Sequence, residues 1–339
     1  MNKSVEKRLQ QEMKKEQELP QSVRIAFDQS YEQIRQLSKK KTKTAWFKPV
    51  AAAVATIVLA SGIMLTNDTV LAKLQTFFSL KDPGIDLASD YGDVQYLAQS
   101  QQSEDITITL EHFFVDAYRL AIQLNIESEH IQMDDLHDMH VEYRLYNIEG
   151  QEIDTLVSDT KPIAGRGIFT GAQFKLENVK KHAATLEMLT VSNRVAVPSL
   201  DGAKLVIETI HFLNKDGSII SVDGKWAFDL TSPPVETQVF VGGNIVPGLE
   251  LQQAALTNGS MQISYKVDQQ IENENDIFKT ALVNDNGESF YANSANVEYL
   301  EEEQQTIISL VFPYSIWNEQ QTLSLAVKGY EKLRLVEKE

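Results

Sequence analysis

From Pro49 to Asn67 the chain carries no charged residue, and Val50 to Leu65 contains only Ala, Val, Ile, Leu, Met, Thr, Ser and Gly. A helix that spans a bilayer needs about 20 mostly apolar residues, with about 17 as the lower end. The run reaches that limit narrowly, so its flanks matter. Lys39, Lys40, Lys41, Lys43 and Lys48 all precede it, and basic residues beside a span mark its cytoplasmic end. Trp46, Phe47 and Lys48 stand where an interfacial anchor belongs. Pro49 falls in the first turn, where a missing N–H costs nothing. Five flanking lysines disfavour a buried core helix. A cleaved leader ending near Val70-Leu71-Ala72 would need a basic region of 48 residues, far beyond the usual few. The expectation is one transmembrane helix over 48–67, in a cell membrane, with the N-terminus cytoplasmic and the C-terminal region extracytoplasmic.

The charge distribution agrees with two environments. Residues 1–48 hold 12 Lys+Arg against 6 Asp+Glu, whereas the remainder holds 19 against 42. The whole chain of 339 residues has a net charge of −17, which argues against direct nucleic-acid binding by its bulk. Cysteine is absent, which removes disulfides, thiolate chemistry and Cys-based zinc sites.

In the segment 1–47, Val23, Phe27, Tyr31, Ile34 and Leu37 step by four, four, three and three, drawing one stripe along a helix that Pro20 and Ser22 can start. So short a helix is marginal in water unless the stripe is covered. It can lie on anionic lipid or in a groove on a cytosolic partner. The six interspersed acidic residues weaken the lipid reading.

Beyond the run, residues 68–82 keep helical spacing, and Pro83-Gly84 is read as its stop. From Ile106 the period becomes two. Ile106–Leu110 and Tyr118–Ile126 alternate across a turn that contains Val115-Asp116-Ala117, which reads as a hairpin. Asp201-Gly202, Asp216-Gly217, Asp223-Gly224, Asn258-Gly259 and Asn286-Gly287 then punctuate short apolar runs, as tight turns do. The expectation is mainly β: two antiparallel, Ig-like β-sandwich domains, 104–231 and 235–335, behind a membrane-proximal helix and linker over 68–103. The break at Ser232-Pro233-Pro234 is the expected boundary.

Catalytic signatures are missing: there is no G-x-S-x-G elbow, H-E-x-x-H, P-loop or G-x-G-x-x-G. The chain is therefore read as a non-enzyme with no catalytic residue, metal or cofactor. His130, His137 and His140, mixed with Asp134, Asp135 and Asp138, offer metal-ligand chemistry, but the stretch reads as a solvated loop between strands. Asn284–Tyr291, NDNGESFY, has the look of a calcium loop without its terminal bidentate Glu, and is read as a hairpin turn. Trp226, on an alternating strand, is read as core, and Trp317 as either core or packing a sheet edge.

The stretch Leu80–Glu127, LKDPGIDLASDYGDVQYLAQSQQSEDITITLEHFFVDAYRLAIQLNIE, resembles the single-pass anti-sigma-factor-like membrane proteins of Gram-positive bacilli. Those carry an outer β domain of unknown function, often followed by a second one. The matching features are Gly84, Ala88, Gln99-Ser100, the strand Ile106–Glu111 and Asp116. Leu19-Pro20 before the amphipathic stripe, GKWAFDLTSPP and the NDNG hairpin fit as well. The cytoplasmic part is shorter than a zinc-type anti-sigma domain and lacks its His/Cys ligands. The resemblance implies that the inner helix holds an extracytoplasmic-function sigma factor inactive while the outer domains sense an unidentified envelope ligand. Release by proteolysis near the span is a further implication. The competing expectation is a surface-binding or structural module held by one helix, with no role in transcription.

Overall fold

A computed structural model describes Phe78 and residues 82–157, 167–170, 172–232, 234–271, 274–318 and 322–338. All of them fall in one compact unit. The expected cytoplasmic helix with its stripe Val23, Phe27, Tyr31, Ile34 and Leu37 lies outside the described residues. So do the expected span over 48–67 and the anchor Trp46, Phe47 and Lys48. Among the described residues no helix is long and apolar enough to cross a membrane.

The mainly β expectation holds. The one α-helix described, α1 (Pro83–Asp90), is followed by strands in three sheets. In the first sheet, β1 (Gln95–Ser103), β2 (Ile106–Val115) and β3 (Arg119–Ser128) run in order. β7 (Ala183–Val191) and β6 (Ala172–Lys180) complete it, all antiparallel. The second sheet has the order β5 (Glu152–Leu156), β4 (Leu136–Tyr146), β8 (Lys204–Asn214) and β9 (Ile219–Asp229). One apolar core joins the two. Ile108, Phe113, Ile122 and Leu186 of the first meet Val141, Leu205, Trp226 and Phe228 of the second. Alternation makes this possible: along β4, Met139, Val141, Tyr143 and Leu145 are buried and the residues between them are not. Trp226 is fully buried, as expected, and its indole N–H donates to the Ile106 carbonyl at 3.1 Å.

Two expectations are corrected here. Gln95–Ser103 is not linker but an edge strand. It is stitched to β9 by side chains: Gln99 donates to the Asp229 carbonyl at 2.7 Å and accepts from the Asp229 N–H at 3.1 Å. The histidine-rich stretch is a loop only in its first part, where His130 precedes a 3-10 turn over Met133–Asp135. His137 and His140 lie on β4, because hydrophobic residues at every second position outweigh its polar content.

The third sheet contains β10 (Gln238–Gly242), β11 (Leu249–Leu256), β12 (Met261–Val267), β13 (Ala281–Val283), β14 (Ser289–Tyr291), β15 (Ser294–Leu300), β16 (Gln305–Phe312), β17 (Leu323–Ala326) and β18 (Leu333–Glu337). Its order is β14-β13-β17-β18-β10-β11-β12-β16-β15. β10 changes partners midway: Val239 pairs with Ala255 of β11, then Val241 with Val336 of β18. That switch folds the sheet over, so Ile263 and Leu310 from one part share a core with Leu325 and Leu335 from the other. The expected NDNG hairpin joins β13 to β14, with Gly287 at φ +81° and the Asn284 N–H donating to the Glu288 carbonyl.

Candidate functional site

A third, smaller core lies where the first sheet, the third sheet and α1 meet. Phe78, Ile85 and Ala88 pack on Phe114, Ala121 and Leu189 of the first sheet and on Ala255 and Val311 of the third. The first sheet is thus covered on both faces here, which explains the unbroken burial of β7. Pro83-Gly84, read from sequence as a helix stop, starts a helix, whereas the expected helix over 68–82 lies, apart from Phe78 and Asp82, outside the described residues. Asp82 caps α1, its Oδ1 accepting from the Gly84 and Ile85 N–H groups at 3.0 Å each, and Pro83 takes the first helical position.

Two hairpin tips that would ordinarily face water are buried against this helix start. At the β2–β3 tip, Asp116 Oδ1 accepts from the N–H groups of Tyr118 (2.8 Å) and Arg119 (2.7 Å), a turn built by an aspartate side chain. At the β11–β12 tip, Thr257, Asn258 and Ser260 are all buried. Arg119, 0% exposed, joins the pieces. Its Nη1 donates to Asp82 Oδ2 at 2.6 Å, its Nη2 donates to the Gly259 carbonyl, and its Nε lies 3.6 Å from Asp116 Oδ2. The second oxygen of Asp116 also accepts from Ser260 Oγ at 2.8 Å, and that of Asp82 from Asn293 Nδ2 at 3.1 Å. Burial opposes the guanidinium's charge. The two carboxylates, Asp82 before Asp116, outweigh it and raise Arg119 above its ordinary pKa.

Two glycines permit this approach. A Cβ on Gly84 would collide with the Gly259 carbonyl oxygen. One on Gly259 would lie 2.6 Å from Phe114 Cζ and 2.8 Å from Arg119 Nη2. The Asn258-Gly259 pair, read from sequence as an ordinary hairpin turn, is therefore a packing surface. Past the other end of α1, Trp317 Nε1 donates to Asp93 Oδ2 at 2.6 Å, and its ring stacks on Tyr91 at 4.5 Å. Trp317 thus belongs to this junction rather than to a sheet edge. Asn193 bonds Ser294 at 2.9 Å and Arg194 bonds Asn296 at 3.0 Å along the same seam.

A second polar group lies on the second sheet. His211 Nε2 is 2.9 Å from Glu142 Oε1, its Nδ1 is 2.8 Å from Ser221 Oγ, and its ring stacks on His140 at 4.7 Å. Burial, then the neighbouring His211, lowers the pKa of His140. His140, His211 and Ser221 are register partners on three adjacent strands, so the row is cross-strand pairing. Among the described residues no group of three His, Asp or Glu is placed to hold a metal ion.

The sequence reading singled out Gly84 in a helix stop, Asp116 in a hairpin turn and both, with Ala88, for their resemblance to a family; all three converge on this junction. It missed Asp82, Arg119 and Asn293. An arginine inside an otherwise apolar strand start, AYRLAIQL, is the one signal that could have drawn notice.

Residues 40–128 match a family described as a domain of unknown function, DUF4179. The match covers about a quarter of the chain; it includes Asp82, Asp116 and Arg119 but not Gly259 or Asn293. No curated protein matches. Among solved structures, the crystal structure of a conserved domain protein from Bacillus anthracis is 16% identical, with a TM-score of 0.42. That similarity spans 70% of this chain and 80% of that one, and it is too loose to carry an argument.

Proposed function

We propose that the chain is a single-pass membrane regulator whose cytoplasmic segment holds a sigma factor away from RNA polymerase and whose β regions, each built as a sandwich, respond to the envelope. The apolar run with lysines on one side supports the anchor and its orientation. The stripe Val23, Phe27, Tyr31, Ile34 and Leu37 supports a protein-facing helix. The observation that carries the reading is the placement of Asp82. Only 14 residues separate Asn67, the end of the run, from Asp82, and Asp82 is bound into the junction of both β regions. A tether fixed so close to the span gives an outer change a short path inward, whereas a passive surface module needs only a loose stalk.

The test is co-purification of the full-length protein from membranes of its own host. A sigma factor should be retained by the wild type and lost with Phe27→Asp. Wild-type protein that retains none, or retention that Phe27→Asp leaves intact, would end the proposal.

A further inference from the structure

Arg119 is shared by three pieces of chain far apart in sequence: the cap of α1, the β2–β3 tip and the β11–β12 tip. Asp82 binds Arg119 of the first β region and also Asn293 of the second. Asp116 binds Arg119 and also Ser260 of the second region. Arg119 itself reaches the Gly259 carbonyl. The cap and the β2–β3 tip are therefore bonded to each other and each to the second region, the cap through Asn293 just before β15 and the tip through Gly259 and Ser260, so the circuit closes through the second region. A buried cation that loses one partner keeps its desolvation cost, so withdrawing any piece penalises what stays behind beyond the bond lost. The same three pieces share apolar contacts, with Ile85 and Ala88 facing both β regions. The second region also grips the chain beyond the far end of α1, through Trp317 on Tyr91 and Asp93.

We infer that this cluster is a latch: docking of Phe78 and of Asp82 with α1, and closure of the two β regions on one another, are coupled equilibria, each favouring the other. The coupling is reciprocal by thermodynamic necessity. A ligand or load that parts the β regions frees Asp82 and α1, and tension on Asp82 parts the β regions. The latch deepens the regulatory reading and rests on it only for what lies at the inner end.

The experiment is hydrogen–deuterium exchange on the full chain in detergent, with one variant on each side of the circuit. Gly259→Ala, in the second region, should accelerate exchange of the α1 amides at least tenfold. Asp82→Asn, at the cap, should accelerate the amides of 257–260 and 293–296 in return. Core strands β3 and β12 should keep wild-type protection in both. Variants that each loosen only their own side would overturn the latch. So would acceleration spread evenly through the core strands, since the cluster would then contribute only to global stability. If Gly259→Ala does not fold, Ser260→Ala, which keeps the backbone, must give the same cross-junction pattern at smaller size; its absence counts against the inference. The readout involves no sigma factor, so its failure and that of the co-purification are separable.

Discussion

Removing the charge of Arg119 and removing one of its partners are different changes. Arg119→Met leaves Asp82 and Asp116 facing each other in a buried site, where unpaired charge typically costs about 3–5 kcal/mol. Asp82→Asn keeps an acceptor for the Gly84 and Ile85 N–H groups and leaves Arg119 paired with Asp116. Losing one charged hydrogen bond there costs about 1.5–3 kcal/mol. Urea unfolding of the full chain should thus rank Arg119→Met below Asp82→Asn. The triple variant Asp82→Asn, Asp116→Asn, Arg119→Met, which removes the charges together, should recover part of the single Met variant's loss. The opposite ranking would mean that the cluster is held by packing rather than charge. Gly84→Ala tests the steric half of the site. Its methyl meets backbone rather than a side chain that can rotate away, so a loss of about 1–3 kcal/mol is expected despite alanine's better helix propensity.

At the scale of the element, α1 is short and depends on its surroundings. Its first turn holds Asp86, whose carboxyl is pushed up to about 6, by burial first and then by Asp82, Asp90 and Glu187. A charge at a helix N-terminus is normally favoured, and here desolvation outweighs that gain. An acid whose pKa rises on folding binds more protons folded than unfolded. Its contribution is therefore best below about 4 and declines as the pH rises through about 6. Asp86→Asn should raise the melting temperature at pH 7.5, and the melting temperature should fall less between pH 4 and pH 6.5 than in the wild type. Thermal scans across that range decide it, and a variant less stable than wild type at pH 7.5 would refute the assignment. The same helix shows where sequence reading reaches its limit. Proline breaks a helix interior and favours a helix start; only the contacts of Asp82 decide between them. Strands with clean alternation, such as β4's Val141–Leu145 and β12, were legible. β6 and β15 were not, because edge strands bury too little to impose a period. Arg119 was hidden for a related reason: a buried arginine becomes intelligible only once partners 37 and 140 residues away are brought beside it.

For the whole molecule, the proposed orientation rests on charge on one side of one apolar run. The segment before it is basic, with 12 Lys+Arg against 6 Asp+Glu, and everything after it is acidic, with 19 against 42. Lys39, Lys40, Lys41 and Lys43 lie within 11 residues of Val50, close enough to govern insertion, whereas distant acidic residues contribute little. The run itself is alanine-rich and only just long enough, so it has little hydrophobic margin with which to insert regardless of its flanks. Replacing those four lysines with glutamate should therefore lower the fraction of molecules that expose the β regions outside. Protease added to intact cells should degrade the β regions of the wild type completely and spare a population of the variant. The buried junction around Arg119 lies beyond the charges proposed to set topology, so the spared protein should unfold in urea at the same midpoint as the wild type. A changed midpoint would mean that the basic segment acts on folding of the outer part and not only on its side of the membrane.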